Sequence, residues 1–209
     1  MAPDYVLVER SVAGALVAAL RKAFQEQLPN FKGKGFPKLI GAQRRAVLAE
    51  KLAAVEGRIV YGGKWQGEYL EPTLIYPARW EDALMEAEIF APILPILVYD
   101  DLKEVVSLLK KKPVPLASYF FTDARSEALY LLRQLGSGGA CVNDVMLHVA
   151  SSALPFGGKK ESGCGLYHGE YSLKTFSHAR GVLWQGRGFD SRFRYRPYAK
   201  FLEGLLRLR

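Results

Sequence analysis

The sequence predicts an α/β protein: a mostly parallel sheet flanked by helices. Three observations carry that expectation. Short apolar runs read as strands, amphipathic segments of helical length lie between them, and from Asp101 to Asn143 the two alternate. Parallel strands need a crossover long enough to hold a helix, so a strand–helix–strand order points to parallel pairing.

The elements follow in order. Residues 5–8 read as a strand, with Ser11 capping the helix that follows. Val12, Leu16, Leu20 and Phe24 recur every fourth residue, a stripe that runs to about Gln27 and ends at Pro29. Residues 31–36, rich in glycine and lysine, read as a loop. A second helix is expected over 42–55 with Val47, Leu48 and Leu52 on one face. Residues 58–61, closed by Gly62 and Gly63, and residues 71–76 read as short strands, and 80–87 as a short helix. The apolar run 93–99 is a strand, and Asp100 and Asp101 cap a helix to about Lys111. A strand over 116–122, a helix over 126–135 and a strand over 138–142 complete the alternation. Residues 149–165 are small and glycine-rich, and a structureless stretch of about 15 residues inside a compact domain is usually functional. A short helix near 167–174, a strand over 177–184 and an amphipathic helix over 198–209 end the chain.

Composition excludes several function classes. Apolar residues make up 49% and charged residues 24%, the balance of a soluble globular protein. No apolar run reaches the roughly 20 residues of a membrane span. Met1 leads straight into a strand-like segment with no basic and apolar leader, so a cytoplasmic protein is expected. Cys141 and Cys164 lack the spacing of a disulfide framework, and Cys141, in an apolar strand, is expected to be a buried, inert thiol. The histidines His148, His168 and His178 lack metal-ligand spacing, so no metal site is expected. Of the formal charge of +8, residues 180–209 carry eight Lys and Arg against Asp190 and Glu203. A basic tail on a nearly neutral body argues for a neighbouring subunit rather than nucleic acid. Trp184, Phe189, Phe193, Tyr195 and Tyr198 interleave with its arginines, so a membrane surface is a further candidate partner.

Two segments carry a family resemblance. One is Glu86-Ala-Glu-Ile-Phe-Ala-Pro-Ile-Leu-Pro95. The other runs from Gly138-Gly-Ala-Cys-Val-Asn-Asp144 through Leu154-Pro-Phe-Gly-Gly158 and Glu161-Ser-Gly-Cys-Gly-Leu-Tyr-His168 to Thr175-Phe-Ser-His178. Together they resemble the aldehyde dehydrogenase superfamily, in the branch of the class 3 and fatty aldehyde dehydrogenases. Ala2-Pro-Asp-Tyr-Val-Leu7 and Arg194-Tyr-Arg-Pro-Tyr198 fit the same branch.

The resemblance implies oxidation of an aldehyde to a carboxylic acid with NAD or NADP. In the family a cysteine thiolate attacks the carbonyl, an asparagine and a backbone N–H hold the oxyanion, and a glutamate activates the hydrolytic water. Glu88 resembles the glutamate that holds the nicotinamide-ribose hydroxyls, Phe90 the aromatic residue beside that ring, and Phe156 the aromatic wall of the aldehyde tunnel. Ala91 departs from the family's usual glycine, and Cys164 stands where relatives often carry methionine.

In the family the nucleophilic cysteine would fall just before Met1, and the glutamate base, the oxyanion asparagine and the dinucleotide-binding domain lie further upstream. The 209 residues therefore contain no catalytic residue of the family and should be inactive alone. The expected organisation is a catalytic domain incomplete at its amino end over 1–176, an oligomerisation strand over 177–186 and a basic aromatic tail over 187–209. Its partners would be further copies of the chain or a complementary amino-terminal half. The alternative is a stand-alone interaction domain that keeps the fold without the chemistry.

Overall fold

The computed structural model describes residues 2–28, 36–188, 190 and 194–196. Pro29, the loop expected over 31–36 apart from Phe36, and the terminal helix expected over 198–209 lie outside the described residues. Contacts divide the chain into two compact units, 1–175 and 176–209.

The first unit is the expected α/β body. Strands β1 (Val6–Glu9), β2 (Ile59–Tyr61), β5 (Thr73–Ile75) and β6 (Ile93–Tyr99) form one sheet in the order β1-β6-β5-β2. The β1–β6 and β5–β6 pairs are parallel and β2–β5 is antiparallel. Successive side chains on a strand point to opposite faces, and this sheet buries both. Leu74, Leu94, Ile96 and Val98 join Val8 in one cluster, with Ala13, Val17, Leu16, Leu20 and Phe24 of helix α1 (Arg10–Gln27). Ile75, Ile93 and Leu97 point the other way, onto Leu48 and Leu52 of helix α2 (Ala42–Ala53). Covering on both faces explains why residues 93–99 read as one unbroken apolar run.

The second part of the body is a βαβ unit. Strand β7 (Ala117–Phe120) pairs in parallel with β8 (Gly139–Val142) across helix α4 (Arg125–Gln134). Helix α3 (Leu102–Leu109) precedes it, capped as expected by Asp101, whose side chain accepts a hydrogen bond from Lys103 N at 2.7 Å.

Several expectations need correction. Ser11 does not cap α1: the helix already starts at Arg10, and the Ser11 hydroxyl donates to Glu9 instead. Val12 and Val47 are exposed, because α1 turns Ala13 and Val17 inward and α2 turns Leu48 and Leu52. Of the helix expected over 80–87 only a 3₁₀ turn, Ala83–Met85, forms. A two-residue hairpin, β3 (Trp65–Gln66) with β4 (Tyr69–Leu70), turns on Gly67, whose φ is +63°.

One ion pair ties the edge strand to that 3₁₀ turn. Both Arg58 Nη atoms donate to the Asp82 carboxylate, at 2.8 and 2.5 Å, and the Asp82 side chain is only 10% exposed. Hydrogen bonding to Arg58 holds the Asp82 carboxyl below the usual range. A lowered carboxyl stabilises the fold fully above its unfolded value, near pH 4, and loses that contribution as pH falls through the folded value. Asp82→Asn should therefore cost about 1–3 kcal/mol above pH 5, with the gap to wild type closing below pH 4. Urea unfolding across this range measures it; a constant gap would contradict the assignment.

In the second unit, residues 177–184 form no strand. A strand requires a ladder partner for its N–H and C=O groups, and the single chain offers that segment none among the described residues. Val182, Leu183 and Trp184 are 69%, 91% and 92% exposed.

Candidate active site

The Glu88–Phe90 turn is clamped through the peptide groups of Ile89. Ile89 is buried, its N–H donates to Asp4 Oδ1 at 2.9 Å, and its carbonyl accepts from Arg44 Nη2 at 2.6 Å. With both backbone groups held, the residues on either side face solvent. Phe90 is 74% exposed and its φ is +44°, a left-handed conformation uncommon for an aromatic residue. The Arg44 guanidinium lies 5.9 Å from its ring centroid. The Glu88 carboxylate is exposed and has no hydrogen-bond or ion-pair partner among the described residues. Strain held by surrounding bonds at an exposed aromatic–carboxylate pair is a recurrent mark of a binding site. Sequence reasoning missed Asp4 and Arg44. The signal for Asp4 was its place in Ala2-Pro-Asp-Tyr5; Arg44 carries none, since its role exists only after α2 has packed.

Phe156 stands at the centre of an aromatic cluster. Its backbone exchanges two hydrogen bonds with Tyr167, at 3.0 and 2.8 Å, an isolated antiparallel bridge across the glycine-rich loop. Its half-buried ring meets Tyr167 edge-on at 5.5 Å, stacks on His168 at 6.0 Å and tilts against His148 at 6.1 Å. The glycines around it serve close packing, as expected. A Cβ on Gly157 would run into Gly165 O, and one on Gly158 into Ser162 O. Gly163 and Gly165 have φ of +149° and +80°. No hydrogen bond or ring contact joins Phe156 to the Glu88–Phe90 turn among the described residues, so the candidate residues form two groups.

Cys141 departs from its expected character. It is only partly buried, and its Sγ lies 3.1 Å from His148 Nδ1. The intervening loop reverses direction through left-handed Asn143 and Met146 and brings helix α5 (Leu147–Ala150) back over β8. Among the described residues no group of three or more His, Cys, Asp or Glu is placed to hold a metal ion. No helix among them is long and apolar enough to cross a membrane.

The aldehyde dehydrogenase family profile matches residues 1–182. The chain belongs to that family. It is 37% identical over 213 residues to aldehyde dehydrogenase family 3 member F1 of Arabidopsis thaliana, covering 98% of this chain and 44% of that protein. Among solved structures, the substrate-bound AldH of Staphylococcus aureus superposes with a TM-score of 0.87 at 33% identity, over 99% of this chain and 46% of that one. AldA of P. syringae, an indole-3-acetaldehyde dehydrogenase in complex with NAD+, gives 0.71 at 26% identity, over 84% and 37%. The chain thus spans less than half the length of these relatives, with the fold and the class 3 relationship expected of it.

Proposed function

We infer that this chain supplies the carboxy-terminal catalytic portion of an NAD(P)-dependent aldehyde dehydrogenase converting an aldehyde to a carboxylic acid. The observation that carries the reading is the clamped turn: an unpartnered carboxylate, Glu88, and an exposed ring, Phe90, both fixed through Ile89. A carboxylate accepts hydrogen bonds from two adjacent hydroxyls at once, which suits the nicotinamide ribose. Phe90 borders the nicotinamide ring, and Asp4 and Arg44 are positioning residues for both. When bound, the cofactor accepts the substrate's hydride. Phe156 forms an apolar wall of the aldehyde tunnel, where a dry aromatic surface excludes water from the carbonyl.

The nucleophilic cysteine, the general base, the oxyanion asparagine and the dinucleotide-binding domain must come from residues outside these 209, and the cofactor binds weakly without them. The two free thiols, Cys141 and Cys164, suit a reducing compartment such as the cytoplasm. A second reading, a non-catalytic oligomerisation module, draws on the exposed apolar segment at Val182 to Trp184, which is suited to pairing with another copy. A membrane-binding role of the tail falls mostly on residues outside those described.

The test is Glu88→Gln in the enzyme reassembled with its upstream part. Losing a charge-assisted, two-point contact should lower kcat/KM for the cofactor about 10- to 100-fold while the KM for aldehyde changes little. Unchanged cofactor kinetics would remove Glu88 from the site.

A further inference from the structure

The cluster behind Phe156 has the makings of a thiol site. Cys141 and Tyr119 are direct neighbours across the β7–β8 ladder. His148 returns over them from α5, its Nδ1 at 3.1 Å from Cys141 Sγ. Its ring packs against Gly139, where a Cβ would come within 2.6 Å of Cδ2 and 2.9 Å of Nε2, so glycine at that strand position is what admits the imidazole. His148 is 6% exposed and its Nε2 has no hydrogen-bond partner among the described residues. The half-buried Tyr119 ring lies in the same cluster and meets the His148 ring edge-on, 6.0 Å between centroids. Buried polar atoms without partners are uncommon and each costs stability. A pair kept only to fasten α5 to β8 would be served by an apolar contact without that cost. The exposed Cys164 has no hydrogen bond to a histidine among the described residues.

We propose that Cys141 is a reactive thiol, with His148 as its base, that captures soft conjugated electrophiles of the α,β-unsaturated aldehyde class. The Cys141 proton passes to His148 Nδ1 and the thiolate forms a carbon–sulfur bond at the electrophile's β-carbon. The displaced π electrons move onto the carbonyl oxygen as an enolate. The imidazolium then returns the proton to the α-carbon, so the step is an addition that needs no oxidant or reductant. Phe156 and Tyr167 give the neighbourhood the flat aromatic surfaces that suit a conjugated chain. The choice of aldehyde rests on the dehydrogenase reading; the thiol–imidazole assignment rests on the geometry alone.

The test uses the 209-residue chain and requires neither cofactor nor upstream residues, so its outcome is separable from that of the dehydrogenase reading. The chain is treated with limiting N-ethylmaleimide or crotonaldehyde at pH 6.5, and adducts at Cys141 and Cys164 are counted by peptide mass mapping. Cys141 should react about 10-fold faster than Cys164 with both probes, as expected of a thiol whose proton has a nearby base. In His148→Gln that advantage should disappear while Cys164 is unchanged. Should the variant fail to fold by circular dichroism, the wild-type chain decides through the rates of Cys141 and Cys164 measured side by side on the same molecule. Equal rates at the two thiols would overturn the reactive thiol. Labelling by maleimide but not by crotonaldehyde would overturn the ligand class.

Discussion

Incubated with an aldehyde and NAD+, the purified 209-residue chain is expected to form no NADH above the uncatalysed rate. The reason is that no thiol is bonded into the Glu88–Phe90 turn among the described residues. The thiols in these residues are Cys141 and Cys164, and neither makes a hydrogen bond with Glu88, Ile89 or Phe90 among the described residues. Conjugate addition at Cys141 consumes no cofactor and yields no acid. Where catalysis is covalent, removing the nucleophile can cost roughly a millionfold in kcat. A polypeptide carrying the upstream part of a family relative, supplied in trans, should raise turnover by several orders of magnitude. NADH formation by the chain alone that disappears in Cys141→Ser or Cys164→Ser would show that the chemistry had been placed on the wrong sulfur.

That expectation depends on a turn whose parts were unevenly legible. Glu88 and Phe90 could be found because they lie in a contiguous motif. The clamp that makes them useful could not, because Asp4, Arg44 and Ile89 are distant in sequence and meet only once β1, α2 and β6 have assembled.

The same division runs through the fold. The long apolar run of β6 and the acidic cap of α3 are local signals, and both elements stand where they were read. Of the stripe read on α1, Leu16, Leu20 and Phe24 pack against the core and Val12 does not, because a four-residue spacing drifts against a 3.6-residue period, and small Ala13 carries little hydrophobic signal. The β3–β4 hairpin is too short to show any alternation, with Gly67 its only sign. The Cys141–His148 pair required a reversal through two left-handed non-glycine residues, Asn143 and Met146, which periodicity does not report. Gly139 was a legible clue in principle, since an invading ring needs a position without a Cβ.

Glycine also supplies the sharpest test of the loop that positions Phe156, because the same substitution should act with opposite sign at two sites. Gly14 lies within α1 with open space around its absent Cβ. Alanine there restricts the unfolded chain and favours the helix, so Gly14→Ala should stabilise by about 0.5–1 kcal/mol. At Gly158 a Cβ would collide with the backbone of Ser162 and Gly163, atoms that cannot swing aside as a flexible side chain would. Relief requires spreading the loop, and the Phe156–Tyr167 bridge lies two residues away. Gly158→Ala should therefore destabilise by about 2–4 kcal/mol. In the reassembled enzyme it should also lower kcat/KM for aldehyde, since displacing Phe156 opens the wall to water. Urea denaturation of the two variants beside wild type reads both signs. A neutral Gly158→Ala would mean that the loop yields easily, and Phe156 could not then be a fixed wall.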